Sequence, residues 1–369
     1  MSIRHEVMVL KPELTERIRY LVDVSKESGA LNLQMMGIEE IPNEVLRVKK
    51  LKKLKLDYND HLKLSKGIPP ELQILKSFSM KACKFLVCPD NISNLKRCIS
   101  LNLEENCFEY LPPSFIKLKT LTNLDVSKNK LYMLPTGFES LTVLRTLNLE
   151  SNNIEELPAG LGRIETLVSL NLRKNRIVDI PDQFCDLTNL KKLNFEMNKL
   201  VGVPRRLGCL PCVELRLGHN RIEALPDDLF SAELGASVKM FSVCENNLLN
   251  LPSTIYNIDP ECLLEADFNP IRSPPQYLLS EGLKVVQHYM HIRTVRLAEF
   301  ETLITAQDFV IEVENTYPYA CEVLSDGTGF LSPEDLNDFD QAVDQVRILA
   351  YIPFACYRLA NASKYIFTV

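Results

Sequence analysis

Apolar residues along the chain fall into a frame that returns about every 23 positions, and its polar positions are as regular as its leucines. Leu121-Thr-Asn-Leu124-Asp-Val126-Ser-Lys-Asn129-Lys-Leu131-Tyr-Met-Leu134-Pro135 is followed by Leu144-Arg-Thr-Leu147-Asn-Leu149-Glu-Ser-Asn152-Asn-Ile154-Glu-Glu-Leu157-Pro158. The frame returns from Leu167 to Pro181 and from Leu190 to Pro204. Pro42, Pro69, Pro89, Pro112, Pro135, Pro158, Pro181, Pro204, Pro226, Pro252 and Pro275 mark eleven repeats, and their commonest step is 23 residues. Self-similarity at such a period is the signature of a stacked architecture.

Each part of the frame has a physical reason. The Leu-x-Leu segment alternates inward and outward side chains, which predicts a short half-buried strand. The Asn that follows turns inward, where its amide satisfies backbone groups that a buried turn would otherwise strand. That ladder is Asn59, Asn106, Asn129, Asn152, Asn175, Asn198, Asn220, Asn246 and Asn269, with Met36 and Cys83 as departures. The Leu/Ile-Pro step starts a return segment, which a further apolar residue (Phe115, Phe138, Leu161, Phe184) fastens to the strands. One repeat cannot bury its own apolar face, so only stacking gives a core. The fold class predicted is α/β, a curved solenoid with a parallel sheet on its concave side. Two stretches overfill the frame, Asp60 to Lys66 and Ser231 to Ser237, and read as tolerated loops at the edge or back.

A solenoid needs its open ends covered. Leu14, Ile18, Leu21 and Val22 predict an N-terminal capping helix within residues 1–27. Residues 28–275 hold the repeats. Leu279, Leu283, Val286, Met290, Leu297, Phe300 and Ile304 predict a C-terminal capping helix within 276–305. Residues 306–369 remain as a small acidic α-helical region, with Leu336, Phe339, Val343 and Val346 on one helix face.

Composition narrows the function classes. From Glu299 onward there are twelve acidic and three basic residues, leaving 36 acids and 39 bases before it. Neither part has the basic excess of a nucleic-acid binder. No stretch reaches the eighteen or so apolar residues of a spanning helix, and the first ten carry no secretory pattern, so no membrane insertion is expected. Eleven cysteines would suggest disulfides in a secreted chain. Cys83, Cys88, Cys98 and Cys212, however, occupy small apolar positions of the frame and read as buried free thiols. The expected location is cytoplasmic, with nuclear entry open.

The 23-residue frame, the opening Ser-Gly-Ala-Leu31-Asn-Leu33 and the closing Asn269-Pro270-Ile271-Arg-Ser-Pro274-Pro275 together resemble the intracellular leucine-rich-repeat group. That group includes Ras-pathway scaffolds, the plant intracellular Ras-group-related proteins, and the repeat regions of scribble and erbin. The resemblance covers about residues 28–298. It implies a non-enzymatic scaffold or adaptor for protein partners, among them small GTPases, phosphatases and polarity complexes. A monomer without cofactors is expected.

A second, partial resemblance lies in Ser325-Asp326-Gly327-Thr328-Gly329-Phe330-Leu331-Ser332-Pro333-Glu334-Asp335-Leu336, which looks like the second half of an EF-hand. Asp326 and Thr328 match ligand positions and Phe330 the backbone-carbonyl site, while Asp335 stands where a bidentate Glu is needed and Leu324 where the first Asp should be. Three readings stay open: a calcium site, a calcium-dead hand, or a turn leading into a helix capped by Ser332. The calcium reading carries an alternative function, a regulator responsive to calcium or conformation. The chain has no phosphate-binding glycine loop and no nucleophile elbow. His288 with His291, and Cys209 with Cys212, lack the further ligands of a metal site. The end Ile366-Phe367-Thr368-Val369 has the apolar spacing of a PDZ ligand.

Outward strand positions nominate the partner surface. One column runs Asn102, Asp125, Asn148, Asn171, Asn194 and Arg216, and beside it lie Glu104, Glu150, Arg173 and Glu196. The N-terminal end carries Lys52, Lys53, Lys55, Lys76 and Lys81, offset by Asp57, and the C-terminal end carries Glu245, Glu265 and Asp267 against Lys239. Charges sorted by sign suit a transient complex steered by electrostatics.

Overall fold

The computed structural model describes residues 12–275, 278–279 and 282–304. The calcium-loop resemblance (Asp326, Thr328, Phe330, Asp335), the acidic region around it and the Ile366–Val369 end lie outside them. The chain divides into two compact units, Met1–Pro270 and Ile271–Val369. In the second unit the described residues include a helix at Leu283–Ile304, whose Val286 and Met290 are buried.

The first unit opens with helix α1 (Pro12–Ser28), which buries Ile18, Val22 and Ser25. Gly29, at φ +67°, ends it in the left-handed conformation that suits glycine at a helix stop. Eleven three-residue strands follow: β1 (Ala30–Asn32), β2 (Lys53–Lys55), β3 (Ser77–Ser79), β4 (Ser100–Asn102), β5 (Asn123–Asp125) and β6 (Thr146–Asn148). The series ends with β7 (Ser169–Asn171), β8 (Lys192–Asn194), β9 (Glu214–Arg216), β10 (Met240–Ser242) and β11 (Leu263–Glu265). They form one parallel sheet in sequence order, open and curved. Equivalent frame positions pair throughout: Leu101 faces Leu124, which faces Leu147, and Asn102 faces Asp125, which faces Asn148.

The Asn ladder is built as its chemistry requires. Asn152 Oδ1 accepts from the Leu131 N–H of the preceding repeat at 3.0 Å. Its Nδ2 donates to Val126 O at 3.1 Å and Leu149 O at 2.9 Å. Asn59, Asn106, Asn129, Asn175, Asn198, Asn220, Asn246 and Asn269 repeat the arrangement. Just before each ladder position one non-glycine residue takes a left-handed turn. Glu105, Lys128, Ser151, Lys174 and Met197 are examples, at φ +53° to +60°. The N–H there bonds the next repeat, as in Lys174 N to Glu196 O at 2.9 Å, which offsets the cost of the turn.

The departure at Cys83 and the overfilled second repeat are one adaptation. Cys83 Sγ donates to Leu56 O at 3.3 Å and so keeps the donor half of the ladder role. The acceptor half is not needed, because the extra residues let the Leu62 N–H bond Asn59 O at 3.0 Å within its own turn. The later surplus differs from the loop expected: Glu233–Ser237 is one α-helical turn that buries Leu234. The added residues allow a four-residue bond, Val238 N to Leu234 O at 2.9 Å, where most other repeats have a tighter 3-10 segment.

The proline step starts those return segments. Pro112, Pro158, Pro181 and Pro204 hold extended backbone, and each carbonyl accepts the first turn's bond, from Phe115, Leu161, Phe184 and Leu207. Phe115, Phe138, Leu161 and Phe184 are fully buried behind the sheet. Successive returns approach closely at Gly162, where a β-carbon would stand 2.1 Å from Gln183 O.

Candidate functional site: the concave sheet face

Three columns of outward side chains cross this face: the first and third residues of each strand, and the residue two places after the third. The third-residue column serves the fold before it serves any partner. Asn102, Asp125, Asn148, Asn171 and Asn194 each accept, through Oδ1, the backbone N–H two residues on, at 2.9–3.2 Å. This Asx turn ends the strand and starts the curl toward the ladder Asn. The outward amides then tie neighbours together, Asn148 to Asp125 at 3.0 Å and Asn171 to Glu150 at 3.2 Å.

Within these columns the charged residues of the middle repeats pair with one another. Glu150 meets Arg173 at 3.0 Å, Arg173 meets Glu196 at 3.3 Å, and Glu196 meets Arg216 at 3.6 Å. Arg216 continues to Glu214 at 2.5 Å, and Glu214 to Lys192 at 3.2 Å. Half-exposed pairs contribute little each, about 0–1 kcal/mol, but a shared chain of them fixes the side chains. Burial works against the charge of Glu214, yet the hydrogen bonds from Arg216 and Lys192 outweigh it and hold the carboxyl below its usual range.

Toward the N-terminus Glu104 sits between Lys81 at 2.7 Å and Lys128 at 2.6 Å. Burial again raises its pKa and the two ammonium groups lower it further, for a net downward shift. The hydrogen bond to Glu104 in turn raises the pKa of Lys81. Lys81 is half-buried and also lies over the Tyr58 ring, 5.9 Å from its centroid. Asp57, the carboxylate expected to offset the basic end, is itself buried. It accepts from the Ser79 hydroxyl and from the Lys81 backbone N–H at 3.0 Å, with Lys55 Nζ 3.7 Å away.

The five nominated lysines therefore differ. Lys81 is committed to Glu104, and Lys55 leans on Asp57. Lys52, Lys53 and Lys76 are exposed and make no ion pair among the described residues. At the opposite end Lys239 pairs with Asp259, so it does not offset Glu265, while Glu245 lies 2.8 Å from His219 Nδ1. Behind the face, burial pushes the thiols of Cys83 up to about 11 and of Cys88, Cys98 and Cys212 up to about 12, far from reactive thiolates. No group of three or more His, Cys, Asp or Glu side chains among the described residues could hold a metal ion. No described helix is long and apolar enough to cross a membrane.

Residues 119–177 match the sequence profile described as leucine rich repeat. Among solved structures, the chain is similar to a leucine-rich-repeat protein of Leptospira interrogans at 26% identity and a TM-score of 0.54. That likeness covers 67% of this chain and 75% of the other. The fold is a leucine-rich-repeat solenoid. A further likeness, at 21% identity and a TM-score of 0.52, is to the Arabidopsis receptor kinase HAESA, solved with a peptide hormone and a co-receptor. It covers 65% of this chain and 46% of that one, so the solenoid spans less than half of that receptor chain. No curated protein matches the sequence significantly.

Proposed function

We propose that this chain is a non-enzymatic scaffold or adaptor whose basic concave end receives an acidic surface of a protein partner. The observation that carries the reading is the cluster of Lys52, Lys53 and Lys76, exposed at the starts of two adjacent strands without an ion pair among the described residues, against the middle columns, where Glu150, Arg173, Glu196 and Arg216 pair with one another. Such uncompensated charges act on encounter, raising association rates with an oppositely charged surface. The exposed columns of the middle repeats are polar and already hydrogen-bonded, which suits a transient complex better than an obligate one. Resemblance to the Ras-group-related and scribble–erbin repeats points to intracellular signalling, with a small GTPase or a phosphatase complex as the partner class. Buried free thiols at Cys83, Cys88, Cys98, Cys185, Cys212 and Cys262 favour a reducing compartment.

Affinity capture with the intact chain, beside a Lys52→Glu/Lys53→Glu/Lys76→Glu variant, tests the reading. Loss of at least one captured protein from a variant with an unchanged thermal midpoint is expected. An identical set of captured proteins would refute it.

A further inference from the structure

A second surface, away from the concave columns, carries exposed aromatic side chains that the fold does not require. Seven to eight residues after each strand the chain passes along the edge of the solenoid. Tyr110 is 43% exposed there, Tyr132 51% and Met133 53%. The next repeat holds Glu155 and Glu156 at the positions of Tyr132 and Met133, and the preceding one holds Glu109 at the position of Tyr132. The frame thus accepts charge where these two repeats present apolar bulk. Between them lies an open cleft of about 290 Å³, lined chiefly by Tyr110, Pro113, Tyr132, Met133 and Pro135.

We propose that this cleft docks a proline-rich segment in the polyproline II conformation, carrying a basic residue beside its prolines. Three observations point to that occupant. Paired tyrosines with prolines between them form the aromatic-lined groove that flat, preformed proline rings fill at small ordering cost. The hydroxyls of Tyr110 and Tyr132 make no hydrogen bond among the described residues, whereas a polyproline II backbone has no internal hydrogen bonds and offers every carbonyl. Glu109, which precedes Tyr110 in the chain, and Glu156, at the Met133 position of the next repeat, make no ion pair among the described residues, and Glu155 meets only Arg176 at 3.7 Å. These carboxylates outnumber Lys130, the nearest cation in sequence, so a cationic ligand is favoured over an acidic one. The cleft is also small and open, at the lower limit of the about 300–1,000 Å³ typical of small-molecule pockets, which suits a shallow extended chain.

The test uses the full chain and a panel of synthetic peptides about ten residues long, built on Pro-x-x-Pro with arginine at one end. Proline-to-alanine and arginine-to-glutamate versions serve as controls. Calorimetric binding of proline-rich, arginine-bearing members below about 1 mM is expected. The Tyr132→Gln/Met133→Gln variant places polar side chains where the next repeat has Glu155 and Glu156, so it keeps the fold without adding charge; it should weaken that binding at least about tenfold. The concave Lys52→Glu/Lys53→Glu/Lys76→Glu variant should bind the peptides as the native chain does, which separates this surface from the function proposed above. No binding by any member at about 1 mM, equal binding of the alanine versions, or unchanged binding by the double-Gln variant would each overturn the proposal.

Discussion

Replacing Asn152 by alanine removes one rung of the interior ladder and tests the energetics of the solenoid directly. The side chain accepts one hydrogen bond, from Leu131 N–H, and donates two good ones, to Val126 O and Leu149 O. A third contact, to Glu150 O at 3.4 Å, is too long to count. Asn152 is 6% exposed, so alanine removes three bonds in a closed interior and leaves the Leu131 N–H without a partner, while Val126 O keeps its bond from Asn129 Nδ2 and Leu149 O its bond from Asn175 Nδ2. At about 1 kcal/mol net per bond the loss is about 3 kcal/mol. A single water in the vacated space would reduce it to about 1 kcal/mol. Cys83→Ala is the internal control, because Cys83 supplies only a weak thiol donor where Asn152 supplies both halves. Urea denaturation with both slopes unchanged should place Asn152→Ala at about 3 kcal/mol and Cys83→Ala at about 1 kcal/mol or less. Equal costs, or an Asn152→Ala cost within about 0.5 kcal/mol of native, would refute the ladder account.

Three further outcomes follow from the geometry. Gly162→Ala should destabilise by at least about 2 kcal/mol in the same denaturation assay, since its β-carbon would overlap the Gln183 carbonyl, which is backbone and cannot swing aside. Lys174→Gly should be neutral or stabilising by up to about 1 kcal/mol, and Lys174→Val destabilising, because φ is +55° there; melting temperatures that moved the opposite way would contradict the left-handed assignment. Glu104 has a folded pKa below its unfolded value, so its contribution is present above the unfolded pKa and lost as pH falls through the folded one. The melting-temperature gap between native protein and Glu104→Gln should therefore narrow from pH 6 to about pH 3, and a constant gap would count against the Lys81–Glu104–Lys128 bridge.

The parts of this fold legible in the sequence are those set by side-chain chemistry at a fixed spacing. Leu124 and Val126 alternate with Asp125, Asn129 follows four residues after the strand, and Phe138 fastens the return, so strand, ladder and stacking could be read from one repeat. The left-handed residues could not. Glu105, Lys128, Ser151 and Lys174 carry no glycine signature, because a backbone bond to the next repeat offsets the turn in place of a missing β-carbon. Asn102, Asn148, Asn171 and Asn194 were legible as outward-facing but not as Asx turns, since a polar column looks the same whether its amides face a partner or their own backbone. Pairing of charges was the least visible. Lys81 belongs with Lys55 to one basic cluster in the sequence, yet one neighbouring glutamate commits it, and that depends on which side chain the next repeat presents. The link between Cys83 and the extra residues near Leu62 was hidden for the same reason: each departure makes sense only against the repeat beside it.

The central claim, that the basic concave end steers an acidic protein partner, rests most directly on an association rate. With a captured partner in hand, the rate constant is measured at about 50 and 500 mM salt for the native chain and for Lys52→Glu/Lys53→Glu/Lys76→Glu. The account predicts a native rate that falls at least about tenfold with salt, and a variant that associates slowly at low salt and responds little to it. Equal rates and equal salt dependence in the two proteins would contradict it.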